Sequence, residues 1–153
     1  MRIEYQHVSA MSGHMLVVTV ALPHAESERP STPHLSARSG RNRRDMRAVE
    51  DLLLDAVQVA DVTAALADVN IGHPADQPRD RYTDGWSEEL EIETAWSTID
   101  LSWVNGKIPA EWIGVKRLAE LLARIGSDAL RGVPHDRSSE TDSDGTFADD
   151  IPL

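Results

Sequence analysis

Residues 2–22, RIEYQHVSAMSGHMLVVTVAL, carry the strongest fold signal in this chain. Residues 2–8 alternate between apolar and polar side chains, which is typical of a β-strand with one buried face. Residues 14–22 are β-branched and apolar on both faces, as expected for a strand in the centre of a sheet. Ser12 and Gly13 lie between the two segments and favour a turn. The stretch therefore predicts a β-hairpin.

A second pair of strands is predicted on either side of Ser97. Alternating large side chains change parity there, with Leu90, Ile92, Thr94 and Trp96 before it and Ile99, Leu101 and Trp103 after it. A change of parity in mid-run indicates a bulge or a tight turn, because strand side chains alternate with a period of two.

Two segments have helical periodicity. The first begins at Asp45, and its apolar face consists of Val49, Leu52, Leu53, Ala56, Val57, Ala60 and Ala64. The second follows Pro109 and ends near Gly132, with an apolar face of Trp112, Val115, Leu118, Leu121, Leu122 and Ile125. The chain is therefore expected to be an α+β protein with an antiparallel sheet of about four strands and two amphipathic helices.

The segments between these elements complete the predicted organisation. Residues 23–44 are rich in Ser, Pro, Arg and His without periodicity, which predicts a mobile Arg-rich loop within a domain spanning residues 1–132. Residues 133–153 have almost no apolar side chain before Phe147, which predicts a disordered acidic tail. A divergent oligonucleotide-binding barrel is the alternative fold, although two substantial helices fit that five-stranded barrel poorly.

Composition limits the classes of protein that the chain can belong to. Its 153 residues suffice for one domain, and the absence of Cys fits a reducing, cytoplasmic setting. The longest apolar run, residues 15–22, is too short to span a bilayer, and no secretory leader is evident. Fifteen Lys and Arg against 26 Asp and Glu leave a formal charge of −11, which repels phosphate at long range.

The last seven residues contain the most specific motif in the chain. Residues 138–146 are a polar spacer, and they precede Phe147, Ala148, Asp149, Asp150, Ile151, Pro152 and Leu153. This end resembles the acidic tip of bacterial and phage single-stranded DNA-binding proteins, which terminate in Asp-Asp-Ile-Pro-Phe. Leu153 replaces the final Phe, so it keeps an apolar plug but loses the aromatic face. The resemblance does not extend to residues 1–131. It implies recruitment of host helicases, recombination mediators, nucleases or polymerase subunits through the tip.

Residues suited to single-stranded DNA are found in two groups. Non-specific strand binding needs cations for phosphates and aromatic faces for bases. The candidate cations are Arg38, Arg41, Arg43, Arg44 and Arg47, and the candidate aromatic residues are Tyr82, Trp86, Trp96 and Trp103. One of Trp96 and Trp103 is expected to pack inward because their parities differ, and Trp112 is expected in the core.

Catalytic motifs are not evident. The chain has no phosphate-binding loop, no nucleophile elbow and no zinc-protease motif, and its six His lack ligand spacing. Asp51 and Asp55, one turn apart on the predicted first helix, fit a solvated acidic face better than a Mg²⁺ site. We therefore predict that the chain is not an enzyme and needs no metal or cofactor.

These observations predict a DNA-metabolism protein encoded by a phage or another mobile element. It would bind single-stranded DNA through its Arg and aromatic residues and recruit host replication and recombination proteins through its tip. One alternative is an adaptor or decoy that carries the tip without binding DNA. Another is an acidic inhibitor or immunity-type protein that covers a basic surface of a toxin or nuclease. The oligomeric state is left open, with a homo-oligomer as one option.

Overall fold

The computed structural model describes residues 1–23, 32–41, 45–70 and 85–133. These residues form one sheet and two helices, so the predicted α+β class is confirmed. In chain order the elements are β1 (Arg2–Ser9), β2 (Met15–Ala21), β3 (His34–Gly40), β4 (Arg47–Leu53), α1 (Ala56–Ala67), β5 (Trp86–Glu93), β6 (Thr98–Val104), a 3₁₀ turn (Ala110–Trp112) and α2 (Ile113–Arg131).

The sheet has six antiparallel strands in the order β4-β3-β2-β1-β5-β6, which corrects the prediction of about four. The hairpin predicted for residues 2–22 is confirmed as β1 and β2, and it lies in the middle of the sheet. The predicted change of parity at Ser97 is a tight turn between β5 and β6. Among the described residues, no further strand pairs with β4 or β6, so the sheet is open and the alternative of a barrel is wrong.

The first additional strand, β3, lies inside the segment that was predicted to be a mobile loop. Its apolar side chains are only Leu35 and Ala37, both buried on the same face. Two apolar residues among Ser, Arg and His are a weak strand pattern. The strand nevertheless pairs with β2 over its full length, from His34 opposite Ala21 to Gly40 opposite Met15.

The second additional strand, β4, was predicted to be the start of the first helix. Its pairing with β3 contains a bulge, since Leu52 lies opposite Leu35 but Val49 lies opposite Ala37. The bulge inserts an extra residue near Asp51, whose φ is 53°. Val49 and Leu52 therefore share a face at a spacing of three, which in the sequence has the appearance of a helical repeat.

Helix α1 begins at Ala56 and not near Asp45, because Asp55 caps its N-terminus. The Asp55 carboxylate accepts a hydrogen bond from the backbone N–H of Gln58 at 2.8 Å, and the Gln58 side chain accepts one from the Asp55 N–H at 3.0 Å. This reciprocal pair is a capping box. Asp51 belongs to β4, so Asp51 and Asp55 are not one helical turn apart.

Helix α2 covers one face of the sheet and ends at Arg131, as predicted. It approaches β2 closely: a Cβ added at Gly126 would lie 2.3 Å from a methyl carbon of Val18. Trp112, at the end of the 3₁₀ turn, is 1% exposed and confirms the prediction that it belongs to the core. Neither helix in the described ranges has an apolar stretch long enough to cross a bilayer.

Candidate functional site

The face of the sheet opposite α2, here called the outer face, carries mainly polar side chains. Strand alternation separates the two faces, so that Ile3 is fully buried while the next residue, Glu4, points to the outer face. Helix α2 packs on β1 to β4, and α1 packs on α2. In the described part of the chain, no helix covers the outer face.

Acidic residues from three neighbouring strands collect on one half of the outer face. Glu4 lies directly opposite Glu91, and Glu91 lies directly opposite Asp100, so a row of three carboxylates crosses β1, β5 and β6. We call the acidic half the set of Glu4, Glu89, Glu91, Glu93 and Asp100. Four of these residues, together with Gln6 and Ser102, line a depression of about 290 Å³.

Among the described residues, Arg2 is a cation that pairs with carboxylates of the acidic half. Its guanidinium pairs with Glu4, and it lies 3.6 Å from Glu91 and 3.8 Å from Glu93. The guanidinium of Arg2 therefore lies near three of the five carboxylates of the acidic half. Because like charges directly opposite each other on adjacent strands are destabilising, this arrangement costs the fold stability.

The other half of the outer face has mixed charge. A second depression of about 250 Å³ is lined by Arg2, Arg38, Glu4 and Glu50, together with small and apolar side chains of β2 to β4. Here cations and carboxylates are balanced. The strong negative potential of the outer face is therefore confined to β1, β5 and β6.

The predicted Arg group is divided between the two faces of the sheet. Arg38 lies on the outer face, opposite Val17, while Arg47 is paired one residue further along, opposite Ser39, and points the other way. Arg41 and Arg47 line a cavity of about 440 Å³ beside the end of α2, together with Asp45. Arg43 and Arg44 lie outside the described residues.

The predicted aromatic residues do not form one stacking surface. Trp86 and Trp96 are 43% and 85% exposed, but they lie at opposite ends of β5, which is eight residues long. At about 3.3 Å per residue, the seven steps of β5 from Trp86 to Glu93 cover roughly 23 Å, and Trp96 lies in the turn beyond Glu93. Trp103 is 7% exposed and belongs to the core, so the prediction that one of Trp96 and Trp103 packs inward is confirmed. Tyr82 lies outside the described residues.

One carboxylate on the helix side of the sheet was missed in the sequence. Glu88 accepts a hydrogen bond from the Tyr5 hydroxyl at 2.8 Å and another from the Trp103 indole N–H at 2.6 Å. Burial, reinforced by the hydrogen bond to Glu88, raises the pKa of Tyr5 far above its ordinary value. No local signal marks Glu88, because its partners come from β1 and β6.

The remaining candidate features can be placed briefly. Within residues 1–23, 32–41, 45–70 and 85–133, no three His, Asp or Glu side chains converge on a point that could hold a metal ion. The predicted tail, beyond Val133, lies outside the described residues, and so do the tip residues Phe147, Asp149, Asp150, Ile151, Pro152 and Leu153.

Comparison with models of known families, with curated proteins and with solved structures finds no match for this chain. Its function therefore has to be inferred from its own residues and their geometry.

Proposed function

We propose that this chain is a protein-binding module of the inhibitor or immunity type, which presents its acidic half to a basic surface of a partner protein. The observation that carries the proposal is the row of Glu4, Glu91 and Asp100 across three strands. Arg2 offsets part of the repulsion within this row, and an external cation lying against the row would offset more of it. Proteins that cover the basic surface of a toxin or nuclease need such a face.

The shape of the outer face supports the same function. It belongs to an open antiparallel sheet whose strands fix the backbone beneath these side chains, so the side chains but not the backbone are ordered when a partner binds. The chain's formal charge of −11 adds long-range attraction for a basic protein and repels phosphate. A basic protein therefore fits the acidic half better than a nucleic acid does.

The test is affinity capture from cells that naturally encode the chain, with two variants of equal net charge. In the face variant, Glu89→Gln, Glu91→Gln and Asp100→Asn neutralise the acidic half. In the control variant, Asp61→Asn, Glu111→Gln and Asp128→Asn neutralise exposed acids on the helix side. We expect quantitative mass spectrometry to find basic proteins retained by the native chain and the control variant but lost from the face variant.

The captured partner is then purified and titrated against all three proteins. Loss of at least tenfold in affinity for the face variant alone is the expected result, since several close charge pairs are removed together. Equal retention by the two variants would mean that net charge, and not the acidic half, attracts the partner. The proposal would then be wrong.

Single-stranded DNA binding remains a second candidate function, favoured by one observation. Arg41 directly follows β3, and Trp86 begins β5 at the same end of the sheet. Met15 of β2 pairs with both Gly40 of β3 and Val8 of β1, and Val8 pairs in turn with Ser87 of β5. Three strand spacings of about 4.8 Å separate Arg41 and Trp86, or roughly 14 Å. A strand held there would avoid the acidic half.

In this second candidate, the tip supplies recruitment of host replication and recombination proteins, as in the family that it resembles. Deleting Ile151, Pro152 and Leu153 should then abolish binding to those proteins while leaving the affinity for DNA unchanged. An adaptor or decoy would also lose its partner on this deletion, but it would bind no DNA at any salt concentration.

A further inference from the structure

Among the described residues, Trp96 is the most exposed aromatic side chain, and it lies on a turn whose backbone is held by hydrogen bonds. It is 85% exposed, whereas Trp103 and Trp112 are buried. Indole rings are large and largely apolar, so exposing one forfeits burial energy that the core would otherwise gain. An indole that remains in solvent on a hydrogen-bonded turn is therefore a candidate contact for another molecule.

The turn between β5 and β6 holds Trp96 in place through its neighbours. The Thr94 hydroxyl oxygen accepts hydrogen bonds from the backbone N–H groups of Trp96 at 3.2 Å and Ser97 at 3.0 Å. The Thr94 N–H in turn donates to the Ser97 carbonyl at 2.8 Å. The turn is thus closed by its own residues before any partner arrives, which reduces the entropy cost of binding there.

The electrostatic surroundings of Trp96 favour a cation, because the nearby carboxylates Glu4, Glu91 and Glu93 outnumber Arg2, which lies among them. The turn directly follows Glu93, which belongs to the acidic half and lies opposite Thr98. The face of an indole ring attracts cations through its quadrupole, and the nearby carboxylates attract them at longer range. A phosphodiester would meet repulsion at the same place.

We infer that Trp96 receives an arginine side chain of the basic partner, which stacks on the indole while the acidic half binds neighbouring cations. The inference rests on the proposed function and specifies the partner's chemistry as an arginine-rich surface. Arginine is favoured over lysine because the planar guanidinium can stack on the ring and still donate hydrogen bonds to carboxylates. Trp96 thus supplies selectivity, whereas the acidic half supplies attraction.

The test measures binding of fluorescein-labelled nona-arginine and nona-lysine to the full chain by fluorescence anisotropy at low salt. The native protein is compared with Trp96→Ala, with Trp96→Phe and with Met11→Ala. Met11 is a matched control, because it is also 85% exposed and lies in the turn between β1 and β2. Thermal unfolding of each variant checks that the fold is intact.

We expect the native protein to prefer nona-arginine. Trp96→Ala should weaken nona-arginine binding about two- to fivefold, as for the loss of one exposed cation–aromatic contact, and should erase the preference over nona-lysine. Trp96→Phe should keep part of the preference, and Met11→Ala all of it. If Trp96→Ala retained the native preference, the inference would be overturned.

The remaining outcomes separate this inference from the proposed function. Weaker peptide binding by the face variant but not by Trp96→Ala would support the acidic half and reject the role of Trp96. Equal binding by the face and control variants, or no binding of either peptide, would overturn both. Loss of labelled oligothymidine binding in Trp96→Ala, with peptide binding unchanged, would assign the indole to base stacking and reject the arginine contact.

Discussion

The described carboxylates occupy two kinds of environment, which differ in whether the fold itself supplies hydrogen-bond donors to them. Glu88 is satisfied within the fold, because Tyr5 and Trp103 donate to its two oxygens. Glu91 and Asp100 instead lie opposite each other on the outer face. Arg2, 3.6 Å from Glu91, offsets part of this repulsion, and residues that still reduce stability are expected where binding has been favoured over stability.

Relieving the repulsion in the carboxylate row should stabilise the fold. We expect Asp100→Asn to raise the free energy of unfolding by about 0.2–1 kcal/mol, because it removes a like charge directly opposite Glu91. Urea denaturation followed by circular dichroism measures the change. Asp61→Asn, which removes an exposed charge from α1, is the control and should have a smaller effect. A loss of stability in Asp100→Asn would show that the row is not repulsive.

At the scale of elements, a bulge in β4 and a cap on α1 explain the two boundaries that sequence periodicity predicted wrongly. The bulge at Asp51 places Val49 and Leu52 on one face of β4, and bulges also increase the twist of a sheet edge, which disfavours pairing with another chain. The Asp55 cap then starts α1 immediately after the strand. A strand and a helix are thus joined without a long loop.

The cap on α1 should contribute measurably to stability. Asp55→Ala removes the acceptor for the Gln58 N–H and is expected to lower the free energy of unfolding by about 1 kcal/mol. Asp61→Ala removes the same charge from an exposed position within the helix, where Ala has the higher helix propensity, and should not destabilise. Thermal or urea unfolding of the two variants compares them. Equal stabilities would indicate that the capping box contributes little.

On the scale of the whole molecule, the charges are arranged with a clear polarity. The acidic half occupies β1, β5 and β6, whereas Arg38 and Arg41 lie at the far side of the sheet on or beside β3. A net charge of −11 alone would predict only solubility and repulsion of phosphate. The distribution of charge adds an acidic half on the outer face and Arg side chains on or beside β3.

This polarity makes the second candidate function testable. If the Arg end binds single-stranded DNA, anisotropy of a labelled oligonucleotide should show salt-sensitive binding that favours single strands over duplex. Arg38→Gln with Arg41→Gln should weaken it, while Arg117→Gln with Arg124→Gln, which removes two exposed cations from α2, should not. Equal effects of the two pairs, or no binding at all, would reject this candidate.

The sequence by itself determined the central hairpin, a bulge or tight turn near Ser97, the extent of α2 and the burial of Trp112. Each of these depends on local periodicity or on turn residues a few positions apart, so the information is contained in one stretch of chain. β3 and β4 escaped this reasoning, because a two-residue alternation and a bulged strand have weak or misleading local patterns. Only the tertiary structure decided that they form strands.

The candidate site shows the same division. Trp96 was one of the aromatic candidates in the sequence, and the change of parity predicted a bulge or a tight turn beside it. The acidic half was not predicted, since Glu4, Glu91 and Asp100 become neighbours only when β5 inserts between β1 and β6. Cross-strand pairing brings together residues that are distant in the chain, and the sequence around each residue does not indicate which residue lies opposite.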